Sequence, residues 1–167
     1  MTRDPAIDYR IADLEQLDLP ETGFDLVFSA LTFHYVRDFG RLIGTIRKAL
    51  LPGDHLVFST EHPVYMAAAH PPWTLDEDGR KTWPVNGYSL EGERRTDWFA
   101  KGVLKHHRTL ATTLNTLIGA GFGLRHIEEF APTCGQIEEM PGLTEELERP
   151  MMLLVSAVRS QPANRIS

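Results

Sequence analysis

The sequence predicts an α/β fold built on a mostly parallel sheet. Three observations carry that expectation: compact apolar runs of strand length, an amphipathic helical pattern lying between two of them, and turn signals at the joins. Phe24, Leu26, Val27 and Phe28 form one such run after the turn-prone Pro20-Glu21-Thr22-Gly23. Near-continuous apolarity marks a strand covered on both faces, as parallel strands are. His55 to Ser59 reads as a second strand. Between them Phe39, Leu42, Ile43, Ile46 and Leu50 recur at i, i+3, i+4, i+7 and i+11, which is one face of a helix, with Arg41, Arg47 and Lys48 outside it. Strand, helix, strand in that order points to a right-handed crossover.

The remaining elements follow in chain order. Ile7, Tyr9 and Ile11 alternate with polar residues, as a short strand does. Pro52-Gly53 is read as the stop of the first helix. Leu110, Leu114, Leu117 and Ile118 mark a second helix, and Gly119-Ala120-Gly121 ends it. A dinucleotide-type phosphate loop would need a strand before the glycines and a helix after them, the reverse of this order. Phe122 to Phe130 and Met151 to Val158 read as the last two strands. The glutamates between them, at residues 136 to 149, read as a solvated loop or short helix.

Composition excludes several classes. The 167 residues are one domain by length, and 42% hydrophobic with 24% charged residues is ordinary for a globular chain. The formal net charge is −6, so no sequence-independent nucleic-acid partner is expected. Clean apolar runs such as Met151 to Val155 fall far short of the ~20 residues that span a bilayer, and the N-terminus has no apolar signal core. The expectation is a soluble, cytoplasmic protein with no membrane partner. Cys134 is the one cysteine, the adjacent His106 and His107 point in different directions, and no His-x-x-x-His spacing occurs, so no metal site is expected.

Candidate chemistry gathers at two places. Ligands of open α/β sheets sit beyond the carboxyl ends of the strands, here Ala12-Asp13-Leu14, Ser29-Ala30-Leu31 and Ser59-Thr60-Glu61-His62. Asp13 can accept hydrogen bonds from an exocyclic amine or can cap a helix. The second place is residues 73 to 108, which hold all three tryptophans, Trp73, Trp83 and Trp98. From residue 80 onward seven cations (Arg80, Lys81, Arg94, Arg95, Lys101, Lys105, Arg108) face three anions (Glu91, Glu93, Asp97), a local charge of +4. Large aromatics and cations between a strand and a helix fit a lid over a substrate pocket, or a packed excursion with its cations in water.

The stretch "ADLEQLDLPETGFDLVFSALTFHYVRDFGRLIGTIRKALLPGDHLVFSTEHPV" resembles the central part of a class I S-adenosylmethionine-dependent methyltransferase. Asp13-Leu14 matches the turn after that family's third strand. Phe24 to Val36 matches its "FDLV.S.....H.V" block, and Leu50 to Ser59 its "L.PGG.L..S" block, with Asp54 in place of the second glycine. The later segments "EHPVY", "RKTWPVNGY", "EGERRTDW" and "HHRTLATTLNTLIGAGF" resemble a bacterial small-molecule branch of the methyltransferase type 11 kind.

The resemblance implies a Rossmann-like sheet with strand order 3-2-1-4-5-7-6, the last strand antiparallel. It implies S-adenosylmethionine as methyl donor and a small-molecule acceptor. Asp13 would meet the adenine amine with Leu14 beside the ring, and Ser29 and Leu31 would line the methionine side through backbone groups. His34, counted with the cofactor-binding residues, would sit in the helix after the fourth strand near the mouth, or serve there as a packing and capping histidine. His62 and Tyr65 would face the acceptor, either able to take its proton. Trp83, Arg94, Arg95 and Trp98 would close a lid over it, with residues 61–108 as the inserted lid segment.

The family's glycine-rich loop and the acidic residue that ends its second strand are not found in these 167 residues. The expectation is therefore a single, N-terminally truncated methyltransferase domain with an incomplete sheet and impaired cofactor binding. The exposed edge of its fourth strand would be open to a homodimer partner. The alternative expectation is a catalytically inactive fragment serving as a binding or dimerisation module.

Overall fold

The structure is a computed structural model that describes residues 4–68, 73–98 and 100–161. Its centre is a four-stranded sheet in the order β1-β2-β8-β7, made of β1 (Phe24–Ala30), β2 (Leu50–Glu61), β7 (Phe122–Glu129) and β8 (Met152–Arg159). β1 and β2 are parallel, Leu26 facing His55 and Ala30 facing Ser59. β8 runs antiparallel to both β2 and β7, so three strands share one direction and the last opposes them. That is the 4-5-7-6 portion of the order implied by the resemblance.

Helix α1 (Phe39–Ala49) makes the β1-to-β2 crossover. The Asp38 side chain caps it by accepting from the Arg41 N–H at 2.9 Å. Its apolar face, Phe39, Leu42, Ile43 and Ile46, is buried in one cluster with Leu56 and Phe58 of β2 and Leu153, Val155 and Ala157 of β8. α3 (Leu110–Gly119) adds Leu117 to the same cluster and is capped by Thr109. Gly121, at φ +85, takes the left-handed turn out of α3, as the glycine signal required. The opposite face of the sheet is different: among the described residues Leu26 is 55% and Phe28 68% exposed, and Leu154 is also exposed.

Between β2 and α3 the chain makes a long excursion. It holds α2 (Pro63–Ala67), a small hairpin of β3 (Thr74–Leu75) and β4 (Lys81–Thr82), and a larger antiparallel hairpin of β5 (Gly92–Trp98) and β6 (Ala100–His107). After β7 come α4 (Cys134–Glu139), closed by a Thr133–Gln136 capping box, and a 3-10 turn at Pro141–Leu147. No helix among the described residues is long and apolar enough to cross a membrane.

Four expectations need correction. β1 is a strand but is not covered on both faces: Phe24, Leu26 and Phe28 are exposed, and of this run Val27 packs against the core. Ile7, Tyr9 and Ile11 form no strand: all three are exposed and have no sheet neighbour to complete their hydrogen bonds. The first helix ends at Ala49, ahead of Pro52-Gly53, which lies inside β2. There Asp54 accepts from the Leu51 N–H at 3.1 Å and Gly53 adopts φ +101, so the dipeptide makes a local turn rather than stopping the helix. The glutamate-rich 136–149 segment is not all solvated surface, because Glu146 and Arg149 are buried together as an ion pair at 3.3 Å.

Candidate active site

The carboxyl ends of β1 and β2 are knitted together by short-range polar contacts. Leu31 leaves β1 at φ +50, a left-handed conformation rare for a branched residue. Its N–H donates to the Ser59 carbonyl at 3.0 Å and the Ser59 hydroxyl at 3.2 Å, which hold it there. Ser29 lies in register with Phe58, one pair earlier.

His34 sits in the 3-10 turn Phe33–Tyr35. It is only 3% exposed and lines a small cavity at the ends of these strands. Its Nδ1 accepts from the Glu61 N–H at 3.3 Å and lies 3.3 Å from the Thr60 hydroxyl. Nδ1 therefore carries no proton, and the ring is neutral with hydrogen on Nε2. Burial, with the charges of Lys105 and Arg108 behind it, holds the His34 pKa down to about 4.

Beside it lies a pair that the sequence named apart but did not join. Glu61 (6% exposed) and Lys105 (1% exposed) form a buried ion pair, Nζ to Oε1 at 2.5 Å, joining the end of β2 to β6. His34 Nε2 is 3.9 Å from the same oxygen. Glu61 Oε2 is buried without a hydrogen-bond partner among the described residues. Burial pushes the Glu61 carboxyl above its ordinary range, and Lys105 opposes this only in part. A small cavity of about 20 Å³ opens here, lined by His34, Thr60, Glu61, Met66, His106 and Arg108 among others. The sequence offered the two separately, Glu61 at the carboxyl end of a strand and Lys105 among the cations from residue 80 onward. They lie 44 positions apart, a pairing that no local pattern reveals.

His62 caps α2. Its Nδ1 accepts from the Val64 N–H at 3.1 Å, so Nε2 holds the proton and donates to Glu129 Oε1 at 2.7 Å. Both ring nitrogens are engaged, and His62 can take a proton from an acceptor only by giving up its cap. Tyr65 stacks on Trp83 with centroids 5.7 Å apart, and Trp73 meets Trp83 edge-on at 5.3 Å. The Arg149 guanidinium lies over all three rings, at 4.6 Å from Tyr65, 5.3 Å from Trp73 and 4.4 Å from Trp83. The indole of Trp83 donates to the Val64 carbonyl at 3.1 Å. Burial, then the charge on Glu61, raises the Tyr65 pKa and keeps the phenol protonated.

Arg94 spends its guanidinium on backbone carbonyls: Ala67 at 3.1 Å, Glu93 at 3.0 Å, Gly87 at 3.3 Å and Leu90 at 2.6 Å. It staples the β5 hairpin to the end of α2. Arg94→Ala is therefore expected to cost about 2 kcal/mol of stability, the order of one or two charged hydrogen bonds. Acceptor KM in the folded fraction should be unchanged; a raised KM at unchanged melting temperature would contradict this assignment. Arg95 is exposed on the same strand. The Trp98 side chain lies outside the described residues.

Asp13 is exposed, and one of its carboxylate oxygens accepts from the Glu15 N–H at 2.9 Å. It thus starts a turn at Leu14–Gln16 rather than a helix. That turn is tied to α1: Glu15 accepts from the Arg37 N–H at 2.5 Å, and Arg41 donates to the Leu14 and Leu17 carbonyls. Next to it runs a cleft of about 730 Å³ lined by Arg10, Ile11, Asp13, Leu17 and Phe24 among others. Among the described residues no cluster of three or more His, Cys, Asp or Glu side chains could hold a metal ion.

A family described as "Methyltransferase domain" matches residues 1–58. A solved S-adenosylmethionine-dependent methyltransferase from Mesorhizobium loti is 57% identical, covering 95% of this chain and 72% of that one, with a TM-score of 0.90. The chain belongs to the class I S-adenosylmethionine-dependent methyltransferases. A second solved methyltransferase of this kind, from Listeria monocytogenes, is 32% identical, covering 96% of this chain and 72% of that one, at a TM-score of 0.83. An uncharacterized protein of Haemophilus influenzae is 36% identical over 114 residues, 67% of this chain and 45% of its own. The methyltransferase chain thus spans less than half the length of the curated relatives it matches.

Proposed function

We propose that this methyltransferase transfers a methyl group from S-adenosylmethionine to a small-molecule acceptor, which enters at the carboxyl ends of β1 and β2 beneath residues 61–108, the lid. The observation that carries this reading is the parallel β1–β2 pair, with a small cavity of mixed lining at its carboxyl ends that includes His34, Thr60 and Glu61. The Asp13 cleft fits the adenine end of the donor. It offers an exposed carboxylate for an amine and apolar walls at Ile11 and Leu17. Leu14 would flank the ring, and Ser29 and Leu31 would bound the methionine end through backbone groups. His34 would act from inside, by fixing the ends of β1 and β2, rather than by touching the donor. When bound, the donor supplies an electrophilic methyl on a sulfonium. The chain's part is orientation and a dry site. Tyr65, Trp83 and Arg95 would shape the acceptor's surroundings.

Because no glycine-rich loop occurs in the 167 residues, their own hold on the donor would be impaired. Calorimetry with S-adenosylhomocysteine on the full polypeptide tests the reading, and no detectable binding would reject it. Asp13→Ala is expected to weaken that binding about tenfold, as loss of one hydrogen bond to a charged group does. It should leave acceptor KM unaffected; equal loss for both ligands would make Asp13 only the cap of its turn.

A second reading, an inactive fold that binds or dimerises, is supported by the open edge of β1 and by the exposed Leu26 and Phe28. Sedimentation across a concentration range distinguishes it.

A further inference from the structure

The Glu61 carboxylate is built for something that packing does not explain. It is buried, its Oε1 is held by Lys105 at 2.5 Å, and its Oε2 has no partner among the described residues. A buried polar atom without a hydrogen bond costs about 1–3 kcal/mol, more when charged, and calls for a ligand. The cavity that Glu61 lines, about 20 Å³, has room for one water-sized group. It lies at the carboxyl end of β2, where the sheet places ligands.

We propose that Glu61 is the general base of the methyl transfer and that the acceptor is a protic nucleophile, presenting an N–H or O–H to Oε2. This rests on the methyltransferase reading. In the step, a lone pair of the acceptor nitrogen or oxygen forms the bond to the methyl carbon. The carbon–sulfur bond breaks with its pair left on sulfur, giving S-adenosylhomocysteine. The acceptor's proton passes to Oε2, and Lys105 stays protonated.

The surroundings fit that role. His34 faces Oε1 from the 3-10 turn and is neutral, so it does not compete for the proton. Lys105 faces it from β6, Tyr35 and Tyr65 feel its charge, and His106 and Arg108 share the cavity. His62, the next residue, has both ring nitrogens committed. Burial raises the carboxyl's pKa, bringing its proton affinity closer to that needed near neutral pH.

The test uses the full polypeptide, radiolabelled donor, and ethanolamine, catechol and imidazole as protic probes, with iodide as a nucleophile that has no proton to lose. Glu61→Gln is made alone and with Lys105→Met, the double variant removing both buried charges so that folding is kept. S-adenosylhomocysteine binding is measured first, and its absence in the wild type sinks the methyltransferase reading rather than this one. Carbon-13 NMR of the Glu61 carboxyl should show titration above the ordinary carboxylate range, and the rate with a protic probe should rise through that titration. Both variants should lose at least a hundredfold in kcat with KM moved less than threefold, while the rate with iodide does not fall. Donor binding with none of the protic probes methylated overturns the proposal. So does a double variant within threefold of wild-type kcat, or a pH profile that ignores the Glu61 titration.

Discussion

Lys105→Met is expected to cost about 3–5 kcal/mol of folding stability, because it strands the Glu61 carboxylate in the interior. The two side chains are almost wholly buried, and Nζ sits 2.5 Å from Oε1. Denaturant unfolding at pH 7.5 measures the loss. Adding Glu61→Gln should return most of it, since removing both partners leaves no uncompensated charge. The pH dependence has a definite sign. Loss of Lys105 removes the influence that lowers the Glu61 pKa, so the folded-state value climbs further above the unfolded one. A raised carboxyl pKa contributes stability below the folded value and loses it as pH rises through that value. The deficit should therefore be largest at alkaline pH and shrink in mild acid. A single variant that loses under 1 kcal/mol would show that the pair contributes little.

Acid should destabilise the protein through His34. Its folded pKa of about 4 lies below the unfolded 6.5. Between those values the unfolded chain binds a proton that the folded protein refuses, so stability falls as pH drops and levels off below the folded value. By pH 4.5 the loss is about 2–3 kcal/mol, taking about 1.4 kcal/mol per pKa unit. Comparing unfolding at pH 7.5 and 4.5 with that of His34→Asn isolates the contribution. Asparagine offers an oxygen to the Glu61 N–H but takes up no proton. An unchanged acid response in the variant would assign the loss to other groups.

Much of the fold was legible because local chemistry and tertiary environment agree there. The Phe39–Leu50 periodicity and the Gly121 turn each have one structure that satisfies them; the Phe24–Phe28 run is a strand as read, but its apolarity did not mean cover on both faces, since Leu26 and Phe28 are exposed. Ile7, Tyr9 and Ile11 misled for the opposite reason, since alternation describes a strand only when a neighbour completes its hydrogen bonds. The site was less legible. Asp13 and Leu31 lie on strand ends and loops that motif spacing can locate. The Glu61–Lys105 pair and the Arg149 guanidinium over Tyr65, Trp73 and Trp83 join distant segments, and neither partner advertises the other. His62 was placed at the right end of β2, but its role was invisible because Glu129 comes from another strand.

The sheet carries α1 and α3 on one side, and Leu26, Phe28 and Leu154 on the other remain exposed. Like-charge repulsion between molecules of net charge −6 is expected to oppose contact between two such faces. That repulsion reaches about 30 Å at 0.01 M ionic strength but only about 8 Å at 0.15 M. Colloidal behaviour is thus written into the architecture: salt shortens the electrostatic barrier while leaving the apolar attraction in place. Raising the ionic strength from about 0.01 to about 0.15 M is therefore expected to promote association through this face, which light scattering across a salt series checks.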